Sequence, residues 1–292
     1  MHEPVLLPEV VSWLRPHAEG RYVDSTVGLG GHTEALLVAG AGRILGLDRD
    51  PAALEQARAR LASAGSRVEL VHADYRRLGA VLAARAITAV DGVLADLGVS
   101  SMQLDDPARG FSFRQSGPLD MRMDPSGGRT LADRLSDVDA DTLADVIFRL
   151  GEERHSRPVA RAILAARDRG ELADTAALAS VVRRAAGRGR WQRIDPATRT
   201  FQALRIWVNE ELEGLDAFLE TACGLLAPGG RLAVIAFHSV EDRVVKHTFR
   251  RLGDAGRDAR VLTRRPVTPG EAECDRNPRA RSGRLRVLEK MA

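Results

Sequence analysis

The sequence predicts an α/β fold with a doubly wound, mostly parallel β-sheet and an inserted all-helical domain. Three observations predict this fold. Strand-like apolar runs alternate with helical patterns from residue 21 to residue 97. A glycine-rich turn at residues 28–31 follows the first of these runs. Residues 108–198 then show loop composition and helical periodicity but no strand pattern, so they separate the fourth strand from the fifth.

The first strand, the turn and the second strand form a nucleotide-binding pattern. The first strand ends at Asp24, the turn contains Gly28 and Gly30, and the second strand ends at Asp48. Glycines allow the backbone to approach a ligand closely, and the helix that follows presents unpaired N–H groups. Asp48 lies 18 residues after Gly30. In doubly wound folds an acidic residue at about this distance hydrogen-bonds a ribose diol.

The charge of this pattern favours S-adenosylmethionine over a dinucleotide. The turn reads G-L-G-G-H-T-E, which departs from G-x-G-x-x-G, the fingerprint of pyrophosphate binding. Asp24, Glu34 and Asp48 make the predicted pocket acidic. Acidic groups suit a ligand that has a ribose and an adenine but no phosphate, and that carries a cationic sulfonium and ammonium. A nicotinamide cofactor, or a tight turn that binds no nucleotide, remains an alternative on these residues alone.

The third and fourth strands provide two further candidates. After a predicted helix over residues 51–61, a short apolar run at 68–71 precedes Tyr75, which either contacts adenine or packs against its neighbours. The near-continuous apolar run at 90–97 contains Asp96 close to its end. A buried charge without a partner costs several kcal/mol. Asp96 is therefore the first candidate for a residue that takes part in chemistry.

The C-terminal third returns to the sheet pattern. A helix is predicted over residues 200–226 and a fifth strand over 232–237, with two more candidate strands at 260–263 and 284–288. The C-terminal stretch from residue 257 to residue 286 is also basic, and its guanidinium groups could face phosphates. The arginines of this stretch are Arg257, Arg260, Arg264, Arg265, Arg276, Arg279, Arg281, Arg284 and Arg286.

Composition limits the class of protein. The chain of 292 residues is 44% hydrophobic, which is enough for one large domain or two modest ones. We find no secretion signal and no apolar run near the roughly 18 residues that a membrane span needs, so we expect a cytoplasmic protein with no membrane partner. Cys223 and Cys274 are predicted to be free thiols, and no metal site is predicted.

Several longer motifs, taken together, resemble one family over almost the whole chain. They include VDSTVGLGGHTE, DGVLADLGVSSMQLDDPARGFSF, GPLDMRMDP and LLAPGGRLAVIAFHSVEDRVVK, in this order. These strings resemble the bacterial 16S ribosomal RNA cytosine methyltransferases known as MraW or RsmH. The resemblance implies a class I S-adenosylmethionine-dependent fold. It also implies transfer of a methyl group to the 4-amino group of a cytidine in the decoding region of 16S rRNA.

The resemblance also implies roles for particular residues. Asp96 would be catalytic, by accepting a hydrogen bond from the amine together with the carbonyl of Leu97. The family's cofactor contacts fall on Gly30, Gly31, His32, Asp48, Tyr75, Asp96 and Gln103. Tyr75 stands where many relatives have Phe, and the stretch at 251–261 looks shorter than in many of them. The catalytic domain would comprise residues 1–107 and 199–292, with 108–198 as a substrate-recognition insert.

Four residues are candidates for contacts with the RNA. Ser100 and His238 are candidates at the mouth of the crevice, and Arg279 and Arg281 are candidates in the basic tail. The charged residues of the PLDMRMD motif, and Glu241 and Asp242, read equally well as structural ion pairs. A His at position 32 would, without the family, more often cap or pack than bind. A stacking ring for the target base would have to come from Phe111 or Phe113.

The partner predicted from the resemblance is 16S rRNA in the small ribosomal subunit, and a second copy of the chain is a further candidate partner. Three other functions are compatible with parts of the pattern. A DNA amino-methyltransferase would share the chemistry, a nicotinamide oxidoreductase would share the glycine turn, and a non-catalytic assembly factor would bind RNA without turnover. A hydrolase that uses Ser100, His238 and Asp96 is disfavoured, because the chain lacks a G-x-S-x-G elbow.

Overall fold

The computed structural model describes residues 3–187, 195–254 and 258–291. The strands in this part of the chain are β1 (Arg21–Asp24), β2 (Arg43–Asp48), β3 (Val68–His72), β4 (Val90–Asp96), β5 (Leu226–Ala236), β6 (Ala259–Val261) and β7 (Arg284–Lys290). The helices are α1 (Leu7–Leu14), α2 (Gly31–Val38), α3 (Pro51–Arg60), α4 (Leu78–Ala83), α5 (Ser101–Asp105), α6 (Leu131–Asp137), α7 (Ala140–Gly151), α8 (Ser156–Asp168), α9 (Thr175–Ala186), α10 (Ala197–Asn209), α11 (Leu215–Gly224), α12 (Ser239–Asp254) and α13 (Glu271–Arg276).

The chain folds into two compact units. The first comprises residues Met1–Gly98 and Leu212–Ala292, and the second comprises Val99–Glu211. All seven strands named above belong to the first unit, whereas the second contains helices α5 to α10. The helical material is therefore inserted between β4 and β5, as the sequence predicts.

The sheet of the first unit has the strand order β3-β2-β1-β4-β5-β7-β6. The five strands β1 to β5 pair in parallel, and β7 runs antiparallel between β5 and β6. The order reverses between β1 and β4, where the chain crosses from one half of the sheet to the other. In doubly wound folds the carboxyl ends of the strands at such a reversal form the ligand crevice.

Helices cover both faces of this sheet, because its strands are apolar on both sides. On one face, Val23, Val93 and Val234 pack with residues of α4, α11 and α12. On the other face, Tyr22 and Leu94 pack with residues of α1, α2 and α3. Alternate residues of one strand thus enter opposite cores. Burial on both faces fixes the strand register, and the register fixes which side chains end at the carboxyl edge.

The second unit has its own core. Apolar residues of α6 to α10 pack together around Ile147, Val159 and Leu178, all of which are fully buried. Thr130 and Asp139 begin α6 and α7 as N-caps, accepting hydrogen bonds from the backbone of Asp133 and Thr142 respectively. The prediction of helices in this region is confirmed.

Two sequence expectations differ from the structure. The helix predicted over 200–226 is two helices, α10 and α11, because the backbone takes a left-handed conformation at Glu210 (φ 52°) and again at Gly214 (φ 68°). The compact units also divide at 98/99 and 211/212 rather than at 107/108 and 198/199. Helix α10 packs on α7 within the second unit, which extends that unit in the C-terminal direction.

The part of the chain that the structure describes contains no helix long and apolar enough to cross a membrane. Residues 255–257 of the shortened stretch, and with them Arg257, lie outside the described residues.

Candidate active site

Backbone hydrogen bonds fix the turn that follows β1. Ser25 N donates to Leu94 O of β4 at 2.8 Å, and Val27 N donates to Leu47 O of β2 at 2.9 Å. Gly30 then adopts φ 80°, a left-handed conformation that a side chain would strain. The turn is thus held between the ends of the two neighbouring strands, at the edge where a ligand is expected.

Gly31 begins α2 at a point of close approach. A Cβ placed on Gly31 would lie 2.4 Å from Cγ of Pro4, which is closer than two carbons can pack. Only glycine therefore fits between the N-terminal segment and the helix. This steric reason for Gly31 stands beside the cofactor contact that the resemblance implies.

Asp48 anchors the glycine turn. Its Oδ2 accepts a hydrogen bond from Gly28 N at 2.7 Å, and its Oδ1 accepts one from Asp50 N at 2.8 Å. Burial raises the pKa of Asp48, although these two bonds from Asp50 and Gly28 oppose the rise. Each carboxylate oxygen can accept a further bond, so Asp48 can hold the turn and still accept hydrogen bonds from a diol.

His32 and Asp96 come together at the carboxyl edge. Nε2 of His32 lies 3.5 Å from Oδ2 of Asp96, and the His32 side chain is almost completely buried. Among the described residues, neither ring nitrogen of His32 nor Oδ1 of Asp96 has a hydrogen-bond partner. Buried polar atoms in folded proteins almost always have partners. These unpaired atoms therefore fit a polar ligand, and with Gly30 and Asp48 they fit a nucleoside that carries a cationic group.

Asp24 lies behind this pair and is fully buried. Its Oδ2 accepts a hydrogen bond from the Thr33 hydroxyl at 2.7 Å, and its Oδ1 accepts one from Thr26 N at 3.2 Å. Burial raises the pKa of Asp24 to about 6, against the lowering effect of His32 and of the two hydrogen bonds, while Asp96 adds to the rise. The site consequently contains a carboxyl group that changes its charge close to neutral pH.

Tyr75 follows β3 and packs against Phe218 of α11, with ring centroids 4.8 Å apart. The preceding Asp74 caps the short turn by accepting from Arg76 N and pairs with the guanidinium of Arg76. The ring of Tyr75 is thus fixed from one side. Both interpretations from the sequence, packing and adenine contact, agree with a partly buried ring in this place.

Ser100 and Gln103 belong to the second unit and cap α5. Ser100 Oγ accepts from Gln103 N at 3.2 Å, and Gln103 Oε1 accepts from Ser100 N at 3.0 Å, which is a capping box. These bonds give both side chains a structural role. Their predicted roles, a substrate contact for Ser100 and a cofactor contact for Gln103, stay predictions.

Other candidates of the second unit are held by internal contacts. Arg122 donates two hydrogen bonds to the carboxylate of Asp120, at 2.8 and 2.9 Å, which agrees with the structural interpretation of the PLDMRMD motif. Phe111 is buried in the core of this unit. Phe113 packs edge-on against Phe201 at 4.8 Å. Both rings proposed to stack on a base thus contribute to packing.

His238 lies just beyond the end of β5 and is buried beside Glu241. Nδ1 of His238 accepts a hydrogen bond from Glu241 N at 3.3 Å, and its Nε2 lies 3.0 Å from Glu241 Oε1 without the alignment of a hydrogen bond. Asp242 pairs with Arg286, and this pairing outweighs the effect of burial and lowers the pKa of Asp242. These contacts agree with the structural interpretation of the charged residues after β5.

Arg279 and Arg281 are exposed on a short 3₁₀ segment, Pro278–Ser282. They lie between α13 and β7, where exposed guanidinium groups can reach a phosphate.

Thr26 is a residue of the site that the sequence did not indicate. The hydroxyl oxygen of Thr26 accepts a hydrogen bond from the backbone N–H of Asp96 at 2.6 Å. The only signal in the sequence is a hydroxyl residue in the turn after Asp24, and the bond spans 70 positions of the chain. A contact of such long range leaves no local pattern.

A sheet of this topology, with a glycine turn at the strand-order reversal and acidic side chains at the ends of β2 and β4, is the architecture of class I methyltransferases that use S-adenosylmethionine. The chain belongs to the MraW methylase family, whose sequence model matches residues 1–291. The predictions of a methyltransferase and of S-adenosylmethionine as its cofactor are confirmed by this membership.

Three relatives show the extent of the similarity. The proteins named "Ribosomal RNA small subunit methyltransferase H" from Sorangium cellulosum, Nitrobacter winogradskyi and Anaeromyxobacter sp. (strain K) are 53%, 50% and 50% identical to this chain. Each alignment covers 99% of this chain, and they cover 91%, 90% and 98% of the respective relatives. The similarity thus extends over both compact units.

Proposed function

We propose that the protein transfers a methyl group from S-adenosylmethionine to the 4-amino group of a cytidine in 16S rRNA of the small ribosomal subunit. One observation carries the chemical part of this proposal. An acidic side chain with an unpaired oxygen, Asp96, ends the central strand beside the glycine turn. The names of the relatives support the substrate class.

The bound cofactor supplies a methyl group on a sulfonium, which is already activated for transfer. The protein therefore has to align the amine with this methyl group, and alignment of two reactants can contribute several kcal/mol. The amino group of cytosine is a poor nucleophile, because its lone pair is delocalised into the ring. Hydrogen-bond acceptors for the N–H groups of this amine favour its pyramidal form, in which the lone pair is localised on nitrogen and can react.

Asp96 and the backbone carbonyl of Leu97 are the acceptors in this proposal. As the new N–C bond forms, the bond between the sulfonium sulfur and the methyl carbon would break, leaving S-adenosylhomocysteine. The excess proton on the nitrogen would pass to Asp96 as a general base or to water. His32 lies beside this carboxylate, with its Nε2 3.5 Å from Oδ2 of Asp96. These atoms lie next to the turn, so the two reactants meet where β1 and β4 diverge.

The remaining residues of the site bind the cofactor or the RNA. We assign cofactor contacts to Gly30, Gly31, His32, Asp48, Tyr75 and Gln103, and substrate contacts to Ser100, His238, Arg279 and Arg281. The inserted helical region at 108–198 would recognise the RNA around the target. A target base has to leave its stack to reach the site, which costs less in a single-stranded segment than in a duplex.

The test is methylation by the purified protein. Unmodified 16S rRNA, assembled small subunits and duplex DNA are each incubated with labelled S-adenosylmethionine, and the nucleosides are separated by mass spectrometry. We expect N4-methylcytidine only from the ribosomal substrates. Methylation of the DNA alone would support an amino-methyltransferase of different substrate, and binding of RNA without turnover would support an assembly factor.

The affinity for S-adenosylmethionine is expected to depend on pH through Asp24. Below pH 6 this buried carboxyl group is mostly neutral, and above pH 6 it is ionised and attracts the cationic ligand. Calorimetry should therefore show affinity rising by roughly tenfold from pH 5 to pH 7.5, since an added attraction of about 1.4 kcal/mol between the ionised carboxylate and the cationic ligand corresponds to a tenfold change.

S-adenosylhomocysteine provides the control for this pH dependence, because it lacks the sulfonium charge. Its affinity should change less over the same range. In the Asp24→Asn variant, the difference between the two ligands should disappear. Equal pH dependence of both ligands in the wild-type protein would contradict the assignment to Asp24.

Replacing Arg279 and Arg281 together by Ala is expected to weaken RNA binding and its dependence on salt. If each guanidinium contacts one phosphate of a single strand, the slope of log K against log salt should fall by about 0.7 per residue. Filter binding of 16S rRNA over a range of salt concentrations measures this slope. A matched control removes two other exposed arginines, Arg58 and Arg250. An equal fall in the control would show that only net charge matters.

A further inference from the structure

The Thr26 side chain connects the cofactor turn to the strand that carries the proposed base. Its Oγ1 accepts a hydrogen bond from Asp96 N at 2.6 Å, and its own N–H donates to Oδ1 of Asp24 at 3.2 Å. Thr26 thus joins two acidic residues, one at the end of β1 and one at the end of β4.

The sheet explains why a side chain is needed at this position. The parallel pairing of β1 with β4 ends at Asp24 and Leu94, and Ser25 N still donates to Leu94 O. On the other side, Leu97 N donates to Ile235 O of β5. Since N–H groups alternate along a strand, the N–H of Asp96 points toward β1, where the chain has already turned away.

An unpaired backbone N–H would cost about 1–3 kcal/mol if it were buried. The hydroxyl of Thr26 replaces the missing strand carbonyl and so allows the turn to diverge while β4 continues. The same short turn also bonds to Asp48 through Gly28 N at 2.7 Å. One segment of five residues, 24–28, therefore contacts both the acid assigned to the ribose and the acid assigned to the amine.

We propose that Thr26 is a positioning residue for methyl transfer, whose hydroxyl holds Asp96 in a fixed place relative to the cofactor turn. The proposal rests on the function proposed above. Asp96 acts on the amine, and the turn positions the methyl donor, so a bond between the two sets the distance over which the methyl group moves. A misplacement of about 1 Å in such a geometry can lower a rate roughly 100-fold.

The Thr26→Val and Thr26→Ser variants test this role. Val keeps the shape of Thr but cannot accept a hydrogen bond, whereas Ser keeps the hydroxyl. We expect Val to lower kcat for methylation of 16S rRNA by about 100-fold and Ser to lower it by less than about threefold. The Kd for S-adenosylmethionine, measured by calorimetry, should change by less than about threefold in both variants.

A second readout does not depend on activity. The amide proton of Asp96 should resonate far downfield in the wild-type and Ser proteins because of its short hydrogen bond, and it should move upfield in the Val protein. Thr26→Ala replaces Thr26→Val if the latter does not fold, with the same expectation.

Two results would overturn the proposal. One is a Val variant with wild-type kcat, and the other is a loss of kcat in Ser as large as that in Val, which would show that keeping the hydroxyl does not preserve the rate. A wild-type protein that does not methylate 16S rRNA but shows the expected amide shifts would reject the proposed function and leave the hydrogen bond standing as structural only.

Discussion

The Asp96→Ala variant is expected to lose methyl transfer by about 10³-fold in kcat without losing stability. The loss follows because the carboxylate both accepts a hydrogen bond from the amine and takes up its proton, and general base catalysis alone is typically worth 10²- to 10⁴-fold. Stability should persist because Oδ1 of Asp96 has no partner in the described part of the protein. Removing a partly buried carboxylate that has an unpaired oxygen costs little and can stabilise.

Two measurements separate these effects: single-turnover methylation of 16S rRNA and thermal unfolding. The control is Asp91→Ala at the opposite end of the same strand. Oδ2 of Asp91 accepts a hydrogen bond from Arg21 N at 2.7 Å. The Asp91→Ala variant should therefore have a lower melting temperature than the wild-type protein and the same turnover. Near-normal turnover by Asp96→Ala would remove Asp96 from the mechanism. A large fall in its melting temperature would mean that the carboxylate is structural.

Opposite effects on activity and stability at these two positions would reflect a general feature of active sites. A carboxylate oxygen that is left unpaired in the folded protein is available to a substrate, but it lowers the stability of the fold. Asp91, whose hydrogen bond lies within the protein, has no such freedom.

The sequence predicts the order of strands and helices along the chain, and the acids at the strand ends, because these depend on local patterns. Apolar runs identify β2 and β4, and Asp48 and Asp96 are recognised as the residues that end them. The glycine turn is equally local. The strand before the turn, the turn itself and the helix after it are adjacent in the chain, so residue types alone specify them.

Contacts between distant segments leave no local pattern in the sequence. The bond from Asp96 to Thr26 depends on the divergence of two strands that are far apart in the chain, and no periodicity records it. The break between α10 and α11 was not predicted from the sequence for a different reason. Its first left-handed residue is Glu210, a good helix former, so the helical pattern continues through the turn.

The second compact unit begins before the predicted insert. Loop composition predicts an insert that begins at 108, whereas a capped helix, α5, already belongs to the second unit. Its assignment is decided by packing, since Leu104 contacts the apolar core of that unit. Packing of this kind is invisible in a local pattern.

The Asp48→Ala variant is expected to bind S-adenosylmethionine about 100-fold more weakly and to unfold at a lower temperature. Unlike Asp96, Asp48 has partners for both oxygens, because Gly28 N and Asp50 N donate to them. The bonds within the turn stabilise the fold, whereas the bonds that the ribose diol would donate to Asp48 contribute to affinity. Hydrogen bonds to a charged group are worth about 1.5–3 kcal/mol each, and about 2.7 kcal/mol corresponds to a 100-fold change in affinity. Calorimetric titration with the cofactor measures the change.

Asp50→Asn is the matched control, since Asp50 is adjacent and buried but serves as the N-cap of α3, accepting from Ala52 N. An Asn preserves this cap, so the variant should bind the cofactor normally. Asp48→Asn should lie between wild type and Asp48→Ala, because its amide can accept from only one of the two backbone donors. If Asp48→Ala binds as tightly as wild type, the turn does not need its anchor and Asp48 does not contact the ribose.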